Sequence, residues 1–133
     1  MILVDTSVLI DYLKGIDNRS TKMFHQILEK GIPFGINHVI FMEVLQGAKT
    51  ERDYNALKKY LDTQTFYELK RRKESYADAA KMYFKLRHKG VPVKSTMDCL
   101  IAQVAIENDL FLLHNDQDFS RISKKFPIKS WEV

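Results

Sequence analysis

Apolar and polar positions alternate along this chain in blocks that read as short strands set between amphipathic helices. Met1–Val4 is an apolar run, predicting a buried strand, and Val8, Leu9, Tyr12 and Leu13 then recur at helical spacing until Gly15 stops them. Met23, Phe24, Ile27 and Leu28 predict a second helix ending at Gly31. Pro33–Ile36 reads as a second strand, with Asn37 placed to cap a helix from His38 to about Gly47. Thr50 with Asp53 has the form of a capping box for a helix carrying Tyr54, Leu57 and Leu61. Phe66–Leu69 gives a third strand, and a long helix follows from about Arg72 to Lys89, closed by Gly90 and Pro92. Ser95 opens a helix through Asn108, Leu110–Leu113 is a further buried strand, Asp116–Phe126 a short helix and Ile128–Trp131 a last edge strand. Strands alternating with helices predict an α/β fold, a mainly parallel central sheet with helices on both faces.

Composition narrows this picture. With 133 residues, no repeat and no linker, the expectation is one domain spanning 1–133. A single cysteine, Cys99, excludes an internal disulfide framework, and four scattered histidines without ligand spacing disfavour structural zinc. No apolar stretch approaches the roughly 18 residues of a membrane span, and the first residues carry no basic leader, so a soluble cytoplasmic protein is expected. The formal net charge is +4, unevenly spread: nine basic residues lie between Lys70 and Lys94 against only Glu74 and Asp78, so the remainder is net acidic. A basic segment opposite an acidic remainder suits a polyanion-binding protein that also holds a cation.

Four acids stand where apolar residues would be expected. Asp5 ends the first strand, Glu43 interrupts Val39–Leu45, Asp98 precedes Cys99–Ala102, and Asp116 follows Leu113 by three residues. In a parallel sheet, Asp5 and Asp116 fall just beyond carboxyl ends of strands, where open α/β sheets bind ligands. Each has a simpler reading as well: Asp5 and Asp116 can be helix N-caps, and Asp98 can complete a capping box with Ser95. Glu43 resists that reading, because it lies mid-helix among apolar residues and would be costly to bury unpaired. A divalent cation shared by all four explains them together. Oxygen-only ligands select hard ions such as Mg²⁺ or Mn²⁺, which in acid clusters handle phosphate chemistry.

Asp5-Thr6-Ser7-Val8-Leu9-Ile10, Met42-Glu43-Val44-Leu45-Gln46-Gly47-Ala48, Asp98-Cys99-Leu100-Ile101-Ala102 and Asn115-Asp116-Gln117-Asp118-Phe119 resemble, in order, the four signature blocks of PIN domains. Size and block order are most similar to the VapC ribonuclease toxins of bacterial toxin–antitoxin pairs. The resemblance implies a three-layer α/β/α fold and a Mg²⁺-dependent endoribonuclease, with Mn²⁺ also possible. It implies cleavage of structured RNA such as tRNA or rRNA, leaving 5′-phosphate and 3′-hydroxyl ends. A homodimer and a cognate antitoxin partner are further implications. Asp5, Glu43, Asp98 and Asp116 match the acidic quartet: Asp5, Asp98 and Asp116 as metal ligands, Glu43 as holder of the attacking water or as general base. Thr6 matches the hydroxyl residue that orients the first acid or a bound water. Two departures stand out. His114 occupies a position where the family often has Thr, and Asp118 competes with Asp116 as fourth acid, with Asp116 favoured for its closeness to the strand end.

Lys81, Lys85 and Lys89 recur at i, i+4 and i+8 on the long helix, so they read either as a solvated face or as an RNA phosphate stripe. Tyr76, Tyr83 and Leu86 then fall to the core, as does Cys99, while His25 and His88 read as surface residues and Trp131 as an anchor for the last strand. Three rival readings differ in chemistry. A metal-independent ribonuclease would need His38 and His114 to converge, and a PIN-like module that binds RNA or a partner without cutting would have lost acids. Transfer through an aspartyl intermediate usually wants a second acid two residues after the first, where this chain has Ser7.

Overall fold

The computed structural model describes residues 1–131, so the last two residues of the expected 1–133 domain lie outside it. Five short strands form one sheet: β1 (Ile2–Val4), β2 (Phe34–Ile36), β3 (Thr65–Phe66), β4 (Phe111–Leu113) and β5 (Lys129–Ser130). Their order is β3-β2-β1-β4-β5 and every pairing is parallel. Ile2 pairs with Phe34 on one side and Phe111 on the other, so β1 is central. A strand buried on both faces must be apolar throughout, and Ile2, Leu3 and Val4 are fully buried. Their burial stabilises the sheet by roughly 1.5–3 kcal/mol per side chain.

Parallel strands need crossovers, and seven helices supply them, covering both faces of the sheet: α1 (Thr6–Leu13) and α2 (Arg19–Lys30) before β2, α3 (His38–Gln46) and α4 (Glu51–Leu61) before β3, α5 (Lys73–His88) and α6 (Thr96–Glu107) before β4, and α7 (Gln117–Ser123) before β5. The anticipated caps form. Asn37 Oδ1 accepts the Ile40 N–H at 2.9 Å, Thr50 Oγ1 accepts the Asp53 N–H at 3.0 Å, and Gly31 ends α2 at φ 64°. Ser95 caps α6 by accepting from Met97 N–H, without a reciprocal bond from Asp98.

Three expectations are corrected. The third strand is Thr65–Phe66, not Phe66–Leu69: Tyr67 N–H gives a last bond to Ile36 O and the chain then leaves the sheet. Close to this edge, a Cβ on Gly35 would lie 2.5 Å from Thr65 O, so the approach of β2 to β3 requires glycine there. Tyr76 is not core but 57% exposed, and Tyr83 is only half-buried. Glu43 is half-buried rather than buried.

The α5 face that meets α6 is Ser75, Ala79, Met82 and Leu86. Glu107 locks this pair at the far end of α6. It accepts from Lys70 N–H (2.7 Å), Ser75 Oγ (2.9 Å) and Gln103 Nε2 (2.9 Å), and Arg71 bridges it to Asp78. These bonds hold the Glu107 carboxyl below its ordinary range despite the opposing effect of burial. Cys99 is buried in α6, and burial pushes its thiol up to about 11, so it is packing material. Among the described residues, no helix is long and apolar enough to cross a membrane.

Candidate active site

Strand order reverses between β1 and β4, and ligands bind open parallel sheets at the carboxyl ends of strands beside such a reversal. Asp5 follows β1 directly, and its N–H bonds Leu113 O at 2.9 Å, so the two strand ends emerge side by side. Asp5 is also the N-cap of α1, because its Oδ2 accepts the Ser7 N–H at 3.1 Å. The cap and the candidate ligand are thus one carboxylate. The same holds for Asp116, whose Oδ1 accepts the Asp118 N–H at 2.9 Å at the start of α7.

Asp98, on the first turn of α6, meets these two acids. Asp98, Asp116 and Asp118 each offer an oxygen, and the three oxygens lie within 4.8 Å of one another, close enough to hold one metal ion. Asp5 lies outside that tight group but acts on Asp98 through its charge, as Glu43 acts on Asp5. The structure thus groups Asp98, Asp116 and Asp118 tightly and puts Asp5 within electrostatic reach of Asp98, and Glu43 within reach of Asp5.

The electrostatics of the cluster are strained without a counter-charge. Burial and the hydrogen bond to Asp118, followed by the charges of Asp116 and Asp5, push Asp98 up to about 8. Burial pushes Asp5 up to about 6, against the lowering effect of its Ser7 hydrogen bonds. Crowded carboxylates of this kind either keep protons or share a cation. An all-oxygen donor set fits a hard divalent ion, so the residues present fit a metal of the Mg²⁺ or Mn²⁺ type.

Four supporting contacts shape the cluster. Thr6 Oγ1 donates to Glu43 Oε1 at 2.8 Å, so Thr6 orients Glu43 rather than the first acid. Ser7, not among the candidate site residues, takes that role: its Oγ donates to Asp5 Oδ2 at 2.6 Å and accepts the Asn115 N–H at 3.0 Å. An N-cap aspartate followed two residues later by serine was the available signal. Asp118 is fully buried, with Oδ1 on Arg121 Nη1 (3.0 Å) and Oδ2 on Lys94 N–H (3.1 Å), while Asp116 is half-buried. The engaged acid is Asp118 and the more open one is Asp116. His114 Nδ1 accepts the Asp116 N–H at 3.3 Å, and its ring packs on Phe119 at 5.2 Å. At the position where the family often has Thr, this chain thus places an imidazole against the Asp116 backbone.

Other singled-out residues lie elsewhere. Lys81, Lys85 and Lys89 are exposed on and just beyond α5. His38 is exposed and paired with Glu68 at 3.2 Å. Trp131 packs edge-on against Phe111, tying the last strand to the sheet as anticipated.

A parallel sheet with a carboxylate cluster at its switch point defines an α/β protein with a ligand site of cation-binding character, and comparison with known proteins gives the family. The chain belongs to the PIN domain family, whose model matches residues 2–125. It is 29% identical over 125 residues to VapC ribonuclease Mb1587 of Mycobacterium bovis and, equally, to ribonuclease VapC11 of Mycobacterium tuberculosis, covering 93% of this chain and 92% of either relative. Its fold is similar to that in the DNA-bound VapBC structure from Salmonella typhimurium, with TM-score 0.72, 21% identity and coverage of 98% of this chain and 96% of that one. A toxin–antitoxin complex from Klebsiella pneumoniae matches with TM-score 0.62 and 27% identity, covering 90% of this chain and 91% of that one.

Proposed function

We propose that this chain is a metal-dependent endoribonuclease acting as the toxin of a toxin–antitoxin pair. The observation that carries the reading is the convergence of Asp5, Glu43, Asp98, Asp116 and Asp118 in a PIN-family chain. Asp98, Asp116 and Asp5 would hold the cation, and Mg²⁺ is the ion of choice with Mn²⁺ as its substitute. When bound, the cation neutralises phosphodiester charge and supplies Lewis acidity. Glu43, fixed by the Thr6 hydroxyl, takes the proton of the attacking water, and Asp118 holds the α6–α7 corner in place through Arg121 and Lys94 N–H. Ser7 keeps Asp5 turned toward the cluster.

The substrate is RNA, of the structured tRNA or rRNA kind, and the exposed Lys81, Lys85 and Lys89 contact its phosphates. The relatives named VapC and the neighbours solved as VapBC and toxin–antitoxin complexes support a cognate antitoxin; a homodimeric assembly and a cytoplasmic setting complete the proposal. Purified protein incubated with total cellular RNA tests the proposal. Discrete fragments that need both Mg²⁺ and Asp5, disappearing with EDTA and in Asp5→Asn, are expected. Cutting that survives both changes refutes the acidic site.

A further inference from the structure

Along the β4–α7 connection a cleft of about 290 Å³ opens to solvent, and Asp116 forms part of its wall. Met23, Trp131, Arg19, Asn115 and Gln117 are among the residues that line it. The lining combines an aromatic face, amide groups able to read a polar edge, and a cation. Gln117 has only its Oε1 engaged, by Arg121 at 3.3 Å, which leaves its NH₂ group to donate. Arg19 is exposed and makes no hydrogen bond or ion pair among the described residues. Trp131 is half-buried, and its ring packs edge-on against Phe111 at 5.6 Å beside the cleft.

We propose that this cleft binds one nucleobase of the RNA, next to the phosphate cut at the acid cluster, and so sets the sequence preference of cleavage. The inference rests on the ribonuclease reading above. Single-stranded RNA bases are recognised by stacking on aromatic rings and by hydrogen bonds to their polar edges, and this lining supplies both. The volume admits one nucleoside rather than a longer stretch. Because Asp116 borders cleft and cluster alike, a base held here belongs to a nucleotide beside the scissile bond. Arg19 at the rim then faces a flanking phosphate.

Trp131 is the only tryptophan of the chain, so its fluorescence reports directly on the cleft. The four ribonucleoside 5′-monophosphates are titrated separately into the protein in EDTA, where no cleavage interferes. Saturable quenching is expected, with at least a fivefold spread in Kd among the four bases and none with ribose 5-phosphate. Arg19→Ala and Gln117→Ala, both on exposed residues, should each weaken the tightest nucleotide at least threefold, Gln117→Ala also narrowing the spread. No quenching, equal quenching by all four, or indifference to both substitutions overturns the proposal. Quenching by peptides but not nucleotides also overturns it and assigns the cleft to a protein ligand. Nucleotide binding in a protein that cuts no RNA refutes the ribonuclease reading alone, whereas RNA cutting without quenching refutes the cleft alone.

Discussion

Replacing Asp5 with asparagine should make the cation-free protein more stable while abolishing cleavage. Asp5 is 4% exposed, and burial lifts its carboxyl from the ordinary 3.8 to about 6. A folded-state value above the unfolded one means that the native state binds the extra proton, so the ionised carboxylate opposes folding. The penalty is negligible below the unfolded value and complete above the folded one. At pH 8 it amounts to about 3 kcal/mol, and at pH 4 it is well under about 1 kcal/mol. Asparagine removes the charge yet keeps an oxygen for the Ser7 N–H and Oγ–H, and it caps helices as well as aspartate does. The comparison is made by urea denaturation in EDTA at both pH values. Asp5→Asn should gain up to about 3 kcal/mol at pH 8, about 10 °C in Tm, and almost nothing at pH 4. Saturating Mg²⁺ at pH 8 should stabilise the native protein and close most of that gap, since a ligand that binds only the folded state adds to its stability. A variant less stable than the native protein at pH 8, or one whose gain is the same at both pH values, refutes the argument.

Thr6→Val removes the hydroxyl that orients Glu43; cleavage rate should fall about tenfold with stability changed by less than about 1 kcal/mol, as read from single-turnover kinetics beside a melt. Glu107→Ala leaves the Lys70 N–H, the Ser75 hydroxyl and the Gln103 amide without their acceptor; a loss of about 3 kcal/mol in denaturant titrations is expected, with cleavage per folded molecule unchanged. Gln at Lys81, Lys85 and Lys89 together should lower the slope of log K against log salt by about 2 for single-stranded RNA; an unchanged slope in filter binding returns these lysines to the solvated face.

Most strands and caps are legible in the sequence because each is a local event: an apolar triplet, an Asn or Thr before a helix, a glycine at its end. What stays hidden depends on partners far along the chain. Tyr76 looks like core on α5, yet the helix approaches α6 through Ser75 and Ala79, and close backbone packing leaves the large ring outside. The β3 edge is misjudged for a related reason. Leu69 is apolar because it packs onto the core from a loop, not because it belongs to the sheet. At the site, residue types and order reveal the acids, but not their division of labour. Thr6 and Ser7 are adjacent hydroxyls, and only the turn of α1 sends one to Glu43 and the other to Asp5. Asp118 is buried by Lys94 N–H, 24 residues away, a partner that no local pattern announces.

The central position of β1 has a consequence in time. Ile2, Leu3 and Val4 are made well before their partners on the side of the reversal, Phe111, Leu112 and Leu113. At about 5–20 residues per second, a ribosome needs roughly 5–20 s to add the segment between Asp5 and Asp116. Throughout that interval the nascent chain carries its first acid without the strand that brings it to the others. The carboxylate cluster therefore cannot assemble until β4 and the connection after it have been made, and whatever chemistry it performs is withheld until then.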